Sequence, residues 1–526
     1  MKRINLLDCT LRDGGYVNNW LFGKDTISRY SRKIAETGIE MFEIGFIKGK
    51  TFDENKCLFP DIKSITPYIQ PKNKKLCYVG MIDMGSPVDL ENIPPYDGTS
   101  VDAIRIIFKK DKMKKAYEYA QEIIARGYKT FINFVSTDQY SDEEFIAGIK
   151  LFNTLSPYAM AIVDTFGLIK RKQFLRLVYL ADNNMLPSIA LCYHAHNNLQ
   201  QAMGNAEALV ELNLKRDICI DACIFGMGRG AGNLNLELFA DYLNENYDTC
   251  YRIEPMLEIM DEHLNDIYRK KPWGYSLPLY LSACTGCHPN YALHLAEKDS
   301  LTVKSFNELL KGIPPQYKAV YDKEAAERLY SEFQDRYIDD SETLRTLAHE
   351  LQGQKILLLA PGKSIIESRE SIITEIKTNH RKVIALNFTG AGFPVDFIFS
   401  SNLKRYCKIE GTSRIPCIVT SNIPQEHQAA YRVNYSSYTS QHAEIIDNSG
   451  LMALRLLLAL GVKEVAIAGM DGYSNAFTSD YLDNTLSHVF EQAAETRNNL
   501  ISKDLADINK HLRTTFVTPT QYTIQT

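Results

Sequence analysis

The sequence predicts an α/β chain made of a (β/α)8 barrel of the TIM type, a helical subdomain, and a second, Rossmann-like α/β domain. Three observations carry that reading. Up to about residue 240, eight short β-rich runs alternate with longer stretches of helical period, and an open doubly wound sheet would not supply eight such units in one series. The length of this region is close to the roughly 250 residues of a closed barrel. A chain of 526 residues also exceeds what one core organises, and a new buried strand begins near residue 355. The expected boundaries are 1–240 for the barrel, 241–350 for the helical subdomain and connector, and 351–526 for the last domain.

Within the barrel region, the runs at 4–8, 41–46, 76–82, 103–108, 130–135, 159–163, 190–193 and 218–224 are apolar and β-rich, as strands buried on both faces require. Helical periodicity falls between them, at 26–36, 113–126, 143–154, 172–183 and 200–212. Residues 241–350 read as mainly helical, with interruptions at Pro272-Trp-Gly-Tyr275 and Cys287-His-Pro-Asn-Tyr291. In the last third, 355–360, 383–386, 397–400 and 462–468 read as strands of an open parallel sheet, with a helix at 450–460.

Hydrophobic residues make up 45% and charged residues 23%, the proportions of a globular protein. A net charge of -5 and a pI near 6.2 give no reason to expect nucleic acid or a membrane surface as a partner. No stretch approaches about 18 apolar residues, so no transmembrane helix is expected, and the first residues lack the apolar region of a signal peptide. Eleven scattered cysteines suit reduced thiols, and a cytoplasmic location is expected. Cys284-Thr-Gly-Cys287-His288 has the spacing of covalent haem attachment, which needs export to an oxidising compartment; the pair is read as structural.

A barrel of this kind places its chemistry at the C-terminal ends of its strands. Those ends offer Arg12 and Asp13 after the first strand, Glu43 in the second, Asp83 after the third, Arg105 in the fourth and Asn133 in the fifth. The sixth offers Asp164 and Thr165, the seventh His194 and His196, and a glycine-rich turn from Phe225 to Asn233 follows the eighth. Alternation along a strand points His194 and His196 to the same side. Two parallel imidazoles make half of a divalent-metal site, and Asp13 is the best candidate for the missing carboxylate. Such a set leaves positions open for a chelating substrate, which a 2-oxo acid fits through its carboxylate and keto oxygens.

Three stretches, Asp8-Cys-Thr-Leu-Arg-Asp-Gly14, His194-Ala-His-Asn-Asn198 and Gly226-Met-Gly-Arg-Gly-Ala-Gly-Asn-Leu-Asn-Leu-Glu237, resemble motifs of the metal-dependent pyruvate-carboxyltransferase-like barrels. That HMGL-like, or DRE-TIM metallolyase, superfamily includes 3-hydroxy-3-methylglutaryl-CoA lyase, isopropylmalate and homocitrate synthases, and 4-hydroxy-2-oxovalerate aldolases. The match spans roughly the first 300 residues, and the His-x-His-Asn-Asn and Ala-Gly-Asn forms are most like the aldolase branch. The resemblance implies Asp13, His194 and His196 as metal ligands, with Asn233 as a further one. Manganese or magnesium is the expected metal, with zinc or cobalt as alternatives. It implies a lyase that cleaves or forms a 4-hydroxy-2-oxo acid, with a small 2-oxo acid and an aldehyde as partners. Arg12 would clamp the enolate oxygen, and Glu43, Arg105, Asp164 and Thr165 are candidate substrate-binding residues. His288 and Tyr291 lie where related aldolases place a catalytic tyrosine. The chain departs from the family at the general base: Tyr16 stands where the well-known aldolases have histidine, and an unperturbed tyrosine is a weak base at neutral pH. A homo-oligomer is expected.

In the last domain, Ala360-Pro-Gly-Lys-Ser364 sits at a strand-to-helix turn that could offer backbone N–H groups to a phosphate, so Gly362, Lys363 and Ser364 are candidate cofactor-binding residues. The stretch is too short for a Walker A loop. Together with Asp396-Phe-Ile-Phe-Ser-Ser-Asn402 and the stretch from Asn448 to Gly472, it resembles a bacterial sialyltransferase-like Rossmann domain. That resemblance implies a nucleotide sugar as ligand and, with the barrel, a place in the sugar-acid metabolism of surface polysaccharides. Two alternatives stand beside the aldolase: a Claisen-type acyl-CoA lyase or synthase on the same barrel, and a binding or assembly protein with a relic barrel, which Tyr16 favours. A non-haem iron oxygenase could use the same ligands, but those enzymes normally sit on all-β folds.

Overall fold

The computed structural model describes residues 3–49, 52–214, 216–318, 320–474, 481–482 and 494–523. The chain divides into two compact units, Met1–Pro289 and Asn290–Thr526.

In the first unit, β1 (Ile4–Asp8), β2 (Met41–Ile47), β3 (Cys77–Asp83), β4 (Ala103–Phe108), β5 (Lys129–Phe134), β6 (Ala159–Asp164), β7 (Ala190–Ala195) and β8 (Ile218–Ala222) pair in parallel around a closed ring. Closure is made by β1, which sets Leu7 opposite Met41 of β2 and Ile4 opposite Ile218 of β8. Among the described residues the barrel has the eight strands that the alternation predicts; a two-residue strand, Leu58–Phe59, adds to the end of β2. The strands read as unbroken apolar runs because the barrel interior covers one face and the helices cover the other.

The covering helices are α1 (Lys24–Ile34), α2 (Met113–Ala125), α3 (Asp142–Asn153), α4 (Arg171–Asn184), α5 (Ala202–Glu211) and α6 (Leu236–Asn246). Helix α1 turns Ile27, Tyr30, Ser31 and Ile34 inward, the spacing of one helical face. Helix α3 starts at a capping box: the Glu144 amide donates to the Ser141 hydroxyl at 3.2 Å, and the Ser141 amide donates to the Glu144 carboxylate at 2.9 Å. The expected helix after every strand does not form after β2 and β3. Short 3-10 turns, Lys63–Tyr68 and Leu90–Asn92, stand there instead. Pro60, Pro67 and Pro71 in one crossover, and Pro87, Pro94 and Pro95 in the other, remove the N–H donors a longer helix needs. The segment from Cys284 to His288 closes helix α7 (Leu277–Thr285): Gly286 takes φ 68°, and the Cys287 amide donates to the Ser282 carbonyl at 3.0 Å.

The second unit opens with helices, among them Val303–Gly312, Lys323–Gln334 and Ser341–Leu351. A parallel sheet follows, with seven strands among the described residues: β9 (Ile356–Leu359), β10 (Lys382–Leu386), β11 (Phe397–Ser400), β12 (Cys417–Thr420), β13 (Tyr431–Val433), β14 (Glu464–Ala468) and β15 (Arg513–Phe516). Their spatial order, β13-β12-β11-β10-β9-β14-β15, reverses between β9 and β14. Apolar side chains pack on both faces, Leu358 and Ile384 with Leu454 on one, Leu359 and Val383 with Ile372 on the other. No helix among the described residues is long and apolar enough to cross a membrane.

Candidate active site

Beyond β1 the chain enters a wide π-helical turn, Thr10–Gly14, that buries Arg12 and Asp13. Such turns re-aim side chains and recur at functional sites. This one is held from below and from the side. Asp8 accepts from the Thr10 amide at 3.1 Å and from the Tyr30 hydroxyl at 2.8 Å, and the Trp20 indole N–H donates to the Arg12 carbonyl at 2.8 Å. Gly15 is needed because a Cβ there would lie 2.1 Å from the Trp20 ring.

The turn carries Asp13 to the end of β7. His194 Nε2 lies 3.4 Å from Asp13 Oδ2, and His196 Nε2 lies 3.9 Å from Asp13 Oδ1. One donor atom from each of the three residues lies within 4.8 Å of the others. Asn233, from the turn after β8, donates through Nδ2 to Asp13 Oδ1 and to the Met227 carbonyl, both at 3.0 Å. Its Oδ1 is buried and has no hydrogen-bond partner among the described residues. An orphaned acceptor beside a carboxylate and two imidazoles fits a divalent cation with positions left open.

A buried charge network supports this cluster. Arg12 pairs with Asp13 and donates through Nε to Glu43 Oε2 at 2.7 Å. Arg105 reaches the same Glu43 oxygen at 3.3 Å and pairs with Asp221, whose Oδ2 lies 3.1 Å from His194 Nδ1. Burial opposes ionisation of Asp13, but Arg12 and the two histidines outweigh it and hold the carboxyl well below its usual range. Burial likewise opposes charge on His194, and Asp13 and Asp221 outweigh it and raise its pKa well above the ordinary value. His196 is pushed down to about 4, by burial first, with Asp13 opposing and His194 and Arg229 adding to the fall. Asp221 did not stand out in the sequence because it lies inside an apolar strand, and its only signal is a carboxylate at an inward-facing position of β8.

Several expected site residues are placed differently. Glu43 and Arg105 are sealed inside the barrel and bond each other, so neither lines a space for substrate. The pleat and register of β2 and β4 turn them toward the barrel axis below the rim. Asp164 is also buried, accepting the Leu168 and Ile169 amides at 2.8 and 3.0 Å, and is pushed up to about 7 by burial. It braces the loop after β6. Thr165 accepts the Ser136 amide at 2.8 Å. Tyr291 belongs to the second unit, buried, with its hydroxyl donating to the Val320 carbonyl at 3.3 Å; packing there explains it, in place of the expected catalytic role. Tyr16 is at the mouth of the cluster, edge-on to Trp20 with ring centres 4.6 Å apart. Burial and then Asp13 raise its pKa, so its hydroxyl stays protonated at neutral pH. His288 stands at the rim, its ring 5.8 Å from that of Phe166; burial, then Arg229 and Lys109, push it down to about 4. Asn198 ties the histidine loop to its neighbours, donating to the Phe166 carbonyl at 2.9 Å and accepting the Ala231 amide at 3.2 Å.

In the second unit, Gly362 borders a crevice at the C-terminal edge of the sheet between β9 and β14, with Asn387, Asn402, Asn448 and Gly469. The amide of Ser364 donates to Asp471 at 2.9 Å, and its hydroxyl bonds the same carboxylate. Lys363 is exposed, and the Gly362 amide donates to the Gly469 carbonyl. The Gly362 amide and the Ser364 amide and hydroxyl are therefore bonded within the protein and are not turned to a phosphate as expected.

Fold and site together define a (β/α)8 barrel protein with a carboxylate–imidazole cluster at its strand ends that could hold a metal ion. Residues 3–260, the barrel region and just under half of the chain, match the HMGL-like family model. The 4-hydroxy-2-oxovalerate aldolase of Carboxydothermus hydrogenoformans is 23% identical over 312 residues, 58% of this chain and 90% of that protein. The oxaloacetate decarboxylase of Mycobacterium tuberculosis is 22% identical over 275 residues, 52% of this chain and 79% of that protein. A solved structure, the N-terminal domain of a candidate aldolase from Bacteroides vulgatus, is 25% identical with a TM-score of 0.48, covering 56% of this chain and 96% of that one.

Proposed function

We propose that the barrel is a divalent-metal aldolase that cleaves a 4-hydroxy-2-oxo acid to a pyruvate-type 2-oxo acid and an aldehyde, or joins them in reverse. The observation that carries this reading is the convergence of Asp13, His194 and His196, with the orphaned Asn233 Oδ1 beside them and the Arg12 guanidinium against Asp13. A divalent cation held there, manganese or magnesium being suited to the carboxylate and amide oxygens, would stabilise the negative charge of an enolate oxygen. Arg12, fixed by Glu43, keeps a permanent positive charge at the same spot. Asp221 faces His194 Nδ1 and keeps the opposite ring nitrogen turned to Asp13. The protonated Tyr16 serves as a hydrogen-bond donor, and His288 is proposed from its place at the rim to take the 4-hydroxyl proton, a role that needs its pKa, about 4 in the free site, to rise when substrate binds. Pyruvate released from 4-hydroxy-2-oxo acids, and lost in Asp13→Asn, is the expected result. Acetyl-CoA consumption with a 2-oxo acid, in its place, would move the assignment to the Claisen reading, and neither activity would leave a relic barrel.

For the second unit we propose a nucleotide-sugar site in the crevice between β9 and β14. Its position favours this, because open α/β sheets bind ligands where the strand order reverses. A nucleotide sugar there would tie the aldolase to sugar acids of surface polysaccharides. Titration of the full chain with a cytidine nucleotide sugar tests it, and absence of saturable binding removes it.

A further inference from the structure

The glycine-rich turn after β8 carries a side chain that the chemistry above does not use, Arg229. Its backbone is pinned. The Gly232 amide donates to the Arg229 carbonyl and the Gly274 amide to the Gly230 carbonyl, each at 3.2 Å, while Ala231 is tied to Asn198. Gly228 is pressed against Asn233, so that a Cβ there would lie 2.3 Å from the amide that bonds Asp13. The Arg229 guanidinium lies over the Tyr16 ring, 5.4 Å from its centre, and Tyr16 in turn leans edge-on against Trp20 and Phe46. An aromatic platform three residues beyond Asp13 therefore holds a half-buried cation at the mouth of the metal cluster.

The charges around it decide what it is for. Arg12 and Arg105 are consumed by Asp13, Glu43 and Asp221. Among the described residues, Arg229 has no ion pair, and nor has Lys109 at the end of β4, a second cation whose field, with that of Arg229, is felt at His288. Two acids send their field to Tyr16: Asp13, already paired with Arg12, and more weakly Asp83 at the end of β3, which accepts the Gly85 amide at 2.8 Å. A half-buried guanidinium without a carboxylate is poorly compensated until an anion arrives, and its planar fork matches carboxylate or phosphate.

We propose that Arg229 binds an anionic group, a carboxylate or a phosphate, on the aldehyde half of the substrate, so that the enzyme selects acidic aldehydes over neutral ones. This rests on the aldolase reading. Two measurements on the full chain with manganese keep the two apart. Exchange of pyruvate methyl protons with D2O reports the enolate without any aldehyde; no exchange sinks the aldolase reading. Aldol addition of pyruvate to chain-matched pairs, succinic semialdehyde against butyraldehyde and glyceraldehyde 3-phosphate against glyceraldehyde, reports selection, and the two anionic members tell carboxylate from phosphate. We expect at least one anionic aldehyde to exceed its neutral match in kcat/KM by about tenfold or more. In Arg229→Ala that ratio should fall toward one, chiefly through KM, and Arg229→Lys should recover part of it. With exchange present, absence of anionic preference in the wild type overturns the proposal. So does an Arg229→Ala loss that is equal for neutral and anionic aldehydes, which would place the arginine on the carboxylate of the 2-oxo acid or in support of the fold.

Discussion

Removing the Glu43 carboxylate would leave the Arg12 and Arg105 guanidiniums inside the barrel with one anion fewer between them. Breaking a buried pair by deleting one partner typically costs about 3–5 kcal/mol, so Glu43→Gln should lower the unfolding free energy by that order in urea titrations. Asp221 acts on the metal site and not on stability alone. Asp221→Asn should weaken manganese binding by about 10–100-fold in calorimetry, because His194 loses the carboxylate that orients it; equal affinity in the two proteins would remove Asp221 from the site. Asp8 gives the pH signature. Burial raises it to about 6, against the bonds from Thr10 and Tyr30. The native state therefore holds a proton that the unfolded chain has released above its lower pKa, and this stability is complete at low pH and lost as pH rises through about 4 to 6. On the order of 3 kcal/mol should disappear across that window, and Asp8→Asn should flatten this part of the melting profile. At this scale the sequence is most legible where side chains sit on strand tips and turns: His194 and His196 show by their spacing and Asp13 by its place after β1, while Asn233 comes only through the family resemblance. Glu43 and Arg105 sit one layer lower. Position along the chain suggests the rim for them, but which face of the pleat a residue takes decides whether it meets substrate or another charge.

Elements explain why the site is rigid. The turn after β8 doubles back so tightly that Gly232, at φ 77°, would set a Cβ 2.1 Å from the Gly226 carbonyl oxygen. Gly232→Ala should force that turn open, pull Asn233 off Asp13 and lower metal affinity with little change in helix content by circular dichroism; unchanged affinity would show that Asn233 is not held by the turn. The strands of the barrel are readable because each is a continuous apolar run between helical stretches. The crossovers after β2 and β3 are not, since their prolines permit only short turns where the repeating pattern predicts helices. In the second unit, β9 is as short as β12 and β15 but stands out as an unbroken apolar run, Ile356–Leu359, whereas β13 and β15 carry Arg432, Arg513, Thr514 and Thr515 and, like β12, acquire their strand character through their partners in the sheet.

For the whole molecule, the grouping of the cluster, its supporting charges, Tyr16 and His288 within Met1–Pro289 places the proposed chemistry in one unit. The central claim is that a cation between the tips of β1 and β7 holds negative charge on an enolate oxygen. Loss of pyruvate methyl protons to D2O, followed in the full chain with and without manganese, measures that most directly. Exchange should stop with chelator, return with added metal, and fall to the background rate in Asp13→Asn. Metal-replete wild-type protein that exchanges no faster than Asp13→Asn would contradict it.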